Sequence, residues 1–187
     1  IRSDGKILVG GGFTTYNGSP APGIVRLNTD GTIDPAFDPG TGLPTNGSAV
    51  DIAVLPDDRI IVVGAFTSYD GVPRNRIARL LADGALDTAF DPGTGLEGQV
   101  NIMEGTRAFA VAVQVTGEVT VVGNFTMYDG AARNGIVRIS TDGSLDTTFD
   151  PGIGANATAM ALAVRADGSV IVGGSFTVMG STARSGI

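Results

Sequence analysis

The chain has 187 residues, of which 42% are hydrophobic, and a formal net charge of −7. This hydrophobic content excludes a disordered acidic polymer, and the length is sufficient for one substantial core. The eleven Arg and one Lys are scattered singly, so nucleic acid is a poor candidate partner. The absence of Cys and His excludes disulfides, thiolate or imidazole metal sites and a histidine base.

The composition also predicts the type of secondary structure. The chain contains 29 Gly and nine Pro, but only eight Phe, three Tyr and no Trp. Such a balance is typical of many short strands joined by tight turns, so we predict an all-β fold. The longest apolar stretches, such as residues 60–66, have the length of a strand, and no membrane insertion is predicted.

One unit of fifty to sixty residues is repeated about three and a half times. The segments GGGFTTYNG, VGAFTSYDG, VGNFTMYDG and GGSFTVMGS align on Phe13, Phe66, Phe125 and Phe176, which are 53, 59 and 51 residues apart. We divide the chain into copy 1 (residues 1–42, without its first strand), copy 2 (43–95), copy 3 (96–154, with a loop insertion) and copy 4 (155–187, truncated). These ends lead us to expect that the chain is a segment of a longer repeat protein.

Each copy reads, in chain order, as four strands. The first alternates with period two through Val50, Ile52 and Val54, and the second, RIIVVG in copy 2, is apolar on both faces. The third, RIARL, ends at an Asp-Gly turn, and a short fourth strand passes through Phe37, Phe90 or Phe149. A four-stranded antiparallel unit cannot bury both faces alone, so copies must stack as a propeller or a solenoid. The long period favours a β-propeller-like array of four-stranded antiparallel blades.

The segments DGKILVGGGFTTYNG and GIVRLNTDGTIDPAFDPGTG, with their equivalents in the later copies, resemble the delta-60 repeat family. The resemblance covers nearly the whole chain. It departs from the pattern at residues 115–118, where the first turn lacks its Asp, and at Met179-Gly180. It implies a bacterial β-propeller-like repeat in a secreted or surface-attached protein, and a domain of unknown function.

Copies 1, 2 and 3 each repeat an Arg in the third strand and an Asp after the following turn. The two residues lie nearly opposite each other across that hairpin, so a cross-strand ion pair that fixes register is predicted in each copy. The predicted structural pairs are Arg26 with Asp34, Arg79 with Asp87, and Arg138 with Asp146.

The long loops between the second and third strands are the candidate ligand site. We expect them to share one rim with the variable inter-copy loops, opposite the tight turns, and function in repeat folds is usually found where copies vary. The same residues also suit a purely structural role in turns and inter-blade packing. The candidate rim residues are Tyr16, Tyr69, Asp70, Arg74, Asn75, Tyr128, Asp129, Arg133 and Asn134.

Two further kinds of chemistry have weaker signals. Acidic turns such as Asp30-Gly31 resemble calcium loops but lack the full ligand pattern, so no metal site is assigned and calcium remains an open cofactor. Glu97 and Glu104, in the insertion of copy 3, are the best candidates for a glycosidase-like carboxylate pair. No residue is assigned as catalytic.

We therefore expect a non-enzymatic extracellular or cell-surface protein that acts as an adhesive, scaffolding or binding module, with a protein or glycan partner on the rim. The alternative is a structural protein that assembles with neighbouring copies of itself into rings or fibres. A carbohydrate-active enzyme ranks last.

Overall fold

The computed structural model describes residues 4–98, 105–184 and 186. Within these ranges the chain forms short strands and turns without any helix, so the all-β prediction is confirmed. Accordingly, the described part of the chain holds no apolar helix of membrane-spanning length.

The strands follow the predicted copies. Copy 1 contains β1 (Ile7–Gly10), β2 (Thr15–Tyr16), β3 (Ser19–Pro20) and β4 (Ile24–Leu27). Copy 2 contains β5 (Ser48–Val54), β6 (Ile60–Ala65), β7 (Ser68–Tyr69), β8 (Val72–Pro73) and β9 (Ile77–Leu80). Copy 3 contains β10 (Leu96–Glu97), β11 (Ala108–Val113), β12 (Val119–Gly123), β13 (Met127–Tyr128), β14 (Ala131–Ala132) and β15 (Ile136–Ile139). Copy 4 contains β16 (Ala159–Val164), β17 (Val170–Gly174), β18 (Val178–Met179) and β19 (Thr182–Ala183).

Copies 2 and 3 each form an antiparallel sheet in which the second strand is central, in the orders β5-β6-β9 and β11-β12-β15. The predicted fourth strand is reduced to one β-bridge per copy, between Leu80 and Leu86 in copy 2. The chain leaves the sheet there because the Asp87 carboxylate accepts the amide of Ala89, 3.0 Å away, and turns the backbone. Phe90 and its equivalents therefore lie beyond the sheet, outside any strand.

The central strand is buried on both faces, as its sequence predicts. In β6, Ile60 and Val62 pack in a cluster with residues of copy 1, whereas Ile61 and Val63 pack in a cluster with copy 3. All four side chains are fully buried. Each sheet thus depends on its neighbours to cover its faces, as in a propeller.

A bulge in the first strand explains a repeated glycine. The pairing of β5 with β6 shifts between Ala49 and Asp51, and the same shift occurs in copies 3 and 4. A Cβ atom on Gly64, opposite the bulge, would lie 2.1 Å from the carbonyl oxygen of Ser48. Glycine is therefore required there by the close approach of two backbones.

The predicted long loop between the second and third strands is an ordered two-stranded ribbon. In copy 2, β7 pairs with β8 around Asp70 and Gly71, which both have positive φ angles, 45° and 74°. This is the backbone of a type I′ turn, which suits the twist of a tight hairpin. In copy 3 the ribbon also pairs with the inter-copy segment, since β10 lies beside β13.

All three predicted Arg–Asp pairs are ion pairs. The guanidinium also stacks over a Phe ring of the same copy, with the central carbon 4.9 to 5.0 Å from the ring centre. The Nε to Oδ2 distances are 2.6 Å for Arg26–Asp34, 2.7 Å for Arg79–Asp87 and 2.6 Å for Arg138–Asp146. For Asp34, a hydrogen bond from Lys6 lowers the pKa most, against the opposing effect of burial, and Arg26 lowers it further.

Two of these arginines also hold consecutive copies together. Arg26 Nη1 donates to the carbonyl oxygen of Ala82 in copy 2, and Arg79 Nη1 donates to that of Thr141 in copy 3. The amide after each Phe donates to the same turn of the next copy, over 2.7 Å from Asp38 to Asp83 and 2.8 Å from Asp91 to Asp142. We call this Arg, Asp and Phe, together with the turn of the next copy, the copy clamp.

The clamp predicts unequal effects for equivalent substitutions. Arg79→Met leaves Asp87 buried without its main partner and removes the bond to Thr141, so we expect a loss of about 3–5 kcal/mol in unfolding free energy. The side chain of Arg138 is 20% exposed, against 3% for Arg79, so Arg138→Met should cost about 1 kcal/mol. Urea unfolding of both variants measures the difference, and equal losses would contradict the clamp.

Candidate functional site

The rim tyrosines predicted as ligand residues belong to the core. Tyr69 and Tyr128 are fully buried, and their hydroxyl groups donate to the carbonyl oxygens of Gly84, at 2.7 Å, and Gly143. Tyr16 makes the same bond to Gly31 over 3.2 Å and is half-buried. This differs from the prediction for a physical reason. The ribbon folds beside the Asp-Gly turn that follows the third strand of its own copy, and the preceding copy covers Tyr69 and Tyr128. Ribbon and turn are therefore neighbours and do not lie at opposite rims.

The predicted rim Asp and Asn residues bind backbone of the inter-copy segments, whereas Arg74 and Arg133 bind the preceding residue of their own ribbon. Asp70 and Asp129 are exposed, yet each accepts the amide of a Thr in the preceding copy, and the Arg and Asn side chains donate to carbonyl oxygens. These contacts fasten the ribbons to their surroundings, which is the structural role that the sequence also allowed. The distances are 2.8 Å for Asp70–Thr41, 3.0 Å for Asp129–Thr94, 2.7 Å for Asn75–Thr94, 2.7 Å for Asn134–Ile153, 2.8 Å for Arg74–Pro73 and 2.7 Å for Arg133–Ala132.

The acidic turns use their carboxylates locally. Oδ1 of Asp30 accepts the amide of Thr32 at 3.0 Å and its hydroxyl at 2.7 Å, and these hydrogen bonds lower the pKa of Asp30. Among the described residues, no three acidic side chains lie close enough together to hold a metal ion. Calcium at the turns stays a prediction.

The predicted carboxylate pair cannot be assembled from described residues. Glu97 lies in β10 and is half-buried, and its carbonyl oxygen accepts the amide of Thr126 at 2.9 Å. Glu104 lies outside the described residues.

The two buried tyrosines predict an alkaline transition. Burial raises the pKa of Tyr69 and Tyr128, and the charges of nearby aspartates raise both further. The folded chain then holds protons that the unfolded chain releases above about pH 10, so unfolding free energy should fall as pH rises through that value. In a Tyr16→Phe variant, phenolate absorbance should appear only together with loss of the circular dichroism signal. Ionisation near pH 10 with intact secondary structure would contradict this.

One residue departs from the repeat at a position of special backbone geometry. Arg76 has a φ angle of 67°, in the left-handed region that favours glycine. In the other copies the equivalent position, ten residues after the Phe on which the copies align, is occupied by Gly23, Gly135 and Gly186. An arginine in this conformation costs roughly 1–3 kcal/mol, and the fold itself does not require it.

The side chain of Arg76 reaches the insertion of copy 3. Its Nε donates to the carbonyl oxygen of Thr106 at 3.0 Å, and its Nη1 donates to that of Leu96 at 2.8 Å. Burial lowers the pKa of Arg76 and the charge of Glu97 opposes this, although the two side chains form no ion pair among the contacts described. The strained arginine thus holds both ends of the insertion.

A second departure fixes the same segment from the other side. Asn124 is fully buried, and its side chain accepts the amide of Arg107 at 2.6 Å and donates to the carbonyl oxygen of Gly105 at 2.7 Å. The equivalent residues in the other copies are Gly12, Ala65 and Ser175. The hydroxyl of Thr106 closes the base of the insertion by donating to the carbonyl oxygen of Gly98 at 2.5 Å.

These contacts shape a polar groove between copies 2 and 3, which we call the Arg76 groove. Its volume is about 570 Å³, and its polar lining includes Thr45, Asn46, Thr67, Arg76, Thr106 and Arg107. No carboxylate is found among the described residues that line it. Its Thr and Asn side chains can both donate and accept hydrogen bonds, and its two arginines give it positive charge in an acidic chain.

Comparison with known proteins recognises four repeated units in the chain. Residues 2–37, 55–90, 114–149 and 165–185 match the model of a domain of unknown function described as the DUF5122 β-propeller. The chain belongs to this family. The matched units contain the Arg, Asp and Phe of each clamp, whereas the first strands and the inter-copy segments, including the insertion, lie outside them. No curated protein matches the chain. No solved structure matches it either. The delta-60 name itself stays a prediction.

Sequence reasoning singled out the insertion but missed Arg76, Asn124 and the groove that they form. A signal was present, because alignment of the four copies places Arg76 against three glycines. The significance of this difference depends on the backbone φ angle of Arg76, which the sequence alone does not show. Asn124 had no comparable signal, since its equivalents already differ among copies.

Proposed function

We propose that this β-propeller chain is a non-enzymatic binding module that recognises a partner in the Arg76 groove. The proposal includes the extracellular or cell-surface setting and the adhesive or scaffolding role expected from the sequence. It moves the recognition site from the repeated ribbons to the junction between copies 2 and 3, which carries the insertion.

The observation that carries the proposal is the strained backbone of Arg76. Copies 1, 3 and 4 adopt the same conformation with glycine, so arginine is not needed for folding at this position. Strain that the fold does not require is characteristic of functional sites, where surrounding contacts maintain it. Here those contacts come from the insertion, which also borders the groove.

The non-enzymatic character is proposed from the chemistry of the lining. Hydroxyl, amide and guanidinium groups bind and orient a ligand, whereas proton transfer at neutral pH usually requires a carboxylate, an imidazole or a perturbed lysine. The described groove residues include none of these.

Arg76→Gly tests the proposal, because it restores the residue of the other copies. Relief of the strained φ angle should offset the two lost hydrogen bonds, so unfolding free energy should change by no more than about 1 kcal/mol. A glycan and protein array should report ligands of the native chain that the variant no longer binds. Arg165→Gln, which removes an exposed charge from a turn of copy 4, is the matched control and should bind normally. Equal array profiles for all three proteins would refute the proposal.

Self-assembly is the second candidate, supported by apolar surfaces on the outer faces of copies 1 and 4. On copy 4, Ile171 is 39% exposed, and its equivalent in copy 2, Ile61, packs against the next copy. On copy 1, Ile7 and Val9 are only partly buried on the face away from copy 2. Between inner copies such faces bury each other, so head-to-tail contact of two chains would bury these.

Light scattering coupled to size exclusion tests the assembly at two protein concentrations. The expected result is a mass that rises with concentration, and Ile171→Asp should reduce that rise by placing a charge on the exposed outer face of copy 4. A monomer mass that is independent of concentration would contradict the proposal.

A further inference from the structure

The guanidinium of Arg76 has unused hydrogen-bonding capacity directed at the groove it lines. An arginine side chain carries five N–H donors, and the contacts to Thr106 and Leu96 use two of them. The side chain is half-buried, and its nearest acidic influence among the described residues is the charge of Glu97, which forms no ion pair with it. A partly desolvated cation without an anionic partner attracts one from solution.

Arg107 adds a second positive charge to the same groove. The residue is exposed, and its backbone is fixed because Asn124 accepts its amide at 2.6 Å. Its guanidinium likewise has no ion pair in the described part of the chain. Two arginines on one groove wall can bind one anionic group jointly, with charge-assisted hydrogen bonds.

Other arginines, such as Arg74 and Arg133, also lack an ion pair in the described part of the chain, but this groove is lined by two of them. The chain carries a net charge of −7, which disfavours anions over most of its surface. Several other basic side chains are paired with carboxylates, namely Lys6, Arg26, Arg59, Arg79 and Arg138. The Arg76 groove is therefore a local positive site on an acidic surface.

The remaining lining indicates what carries the anionic group. Three hydroxyls and one amide, from Thr45, Asn46, Thr67 and Thr106, can exchange hydrogen bonds with a ligand that has several hydroxyl groups. The volume of about 570 Å³ lies in the range of small-molecule sites and suits two or three sugar units. A peptide would instead need apolar pockets or a free strand edge.

We infer that the Arg76 groove binds a carboxylate-bearing saccharide, with Arg76 and Arg107 on the carboxylate and the Thr and Asn side chains on the hydroxyls. This inference rests on the proposed function and names the ligand class of the same site.

Isothermal titration calorimetry with a trimer of galacturonic acid tests the inference on the 187-residue chain. The native chain should bind the trimer, and its methyl ester, which has no charge, should bind at least about tenfold more weakly. Arg76→Gln and Arg107→Gln should each weaken binding of the acid by about tenfold, and Arg165→Gln should leave it unchanged. Raised salt should weaken binding of the acid and leave binding of the ester unchanged. Urea midpoints of each variant verify that it is folded.

The outcomes separate the inference from the proposed function. If acid and ester bind equally but Arg76→Gln weakens both, the groove is a binding site and the carboxylate inference is wrong. If a peptide with a free C-terminal carboxylate binds more tightly than the trimer, the saccharide inference is wrong. If neither the acid nor the ester binds, the saccharide inference is wrong. The array with Arg76→Gly then still tests whether the groove binds another partner.

Discussion

The copy clamp is the contact on which the rest of this structure depends. A three-stranded sheet with apolar residues on both faces is unstable alone, because each face must be covered by another sheet. The clamp couples register within a copy to docking between copies, since Arg79 pairs with Asp87 and also binds a carbonyl oxygen of the next copy. Removal of either partner would leave a buried charge, so the contact holds the junctions of copy 2 with both of its neighbours.

Because the copies stack through several interfaces, the junction between copies 2 and 3 can hold a strained residue without unfolding the array. The stability of a stacked array is roughly a sum over units and their interfaces, so local strain at one interface is compensated by the others. Arg76 takes its left-handed conformation in such a context, where the insertion of copy 3 satisfies two of its donors. The same substitution in a small domain with a single core would remove a larger share of its total stability.

Position in the repeat separates the structural residues from the candidate binding residues. Tyr69, Asp70 and Asn75 recur in copy 3, and each contacts backbone that the array must hold in place. Arg76 and Asn124 do not recur, and both bind the insertion. In a repeat protein, the side chains that break the pattern are therefore more informative about binding than those that follow it.

The sequence by itself determined the all-β class, the phase of the repeat, the two-sided burial of β6 and the Arg–Asp pairs. These features depend on local periodicity and on residues a fixed number of positions apart, which a repeated sequence displays directly. Only the tertiary structure decided that the tyrosines face the core, that the fourth strand is a single bridge and that Arg76 meets Thr106. Those outcomes depend on how the ribbons fold back and on contacts between copies, and both are set by packing between residues that are distant in the chain.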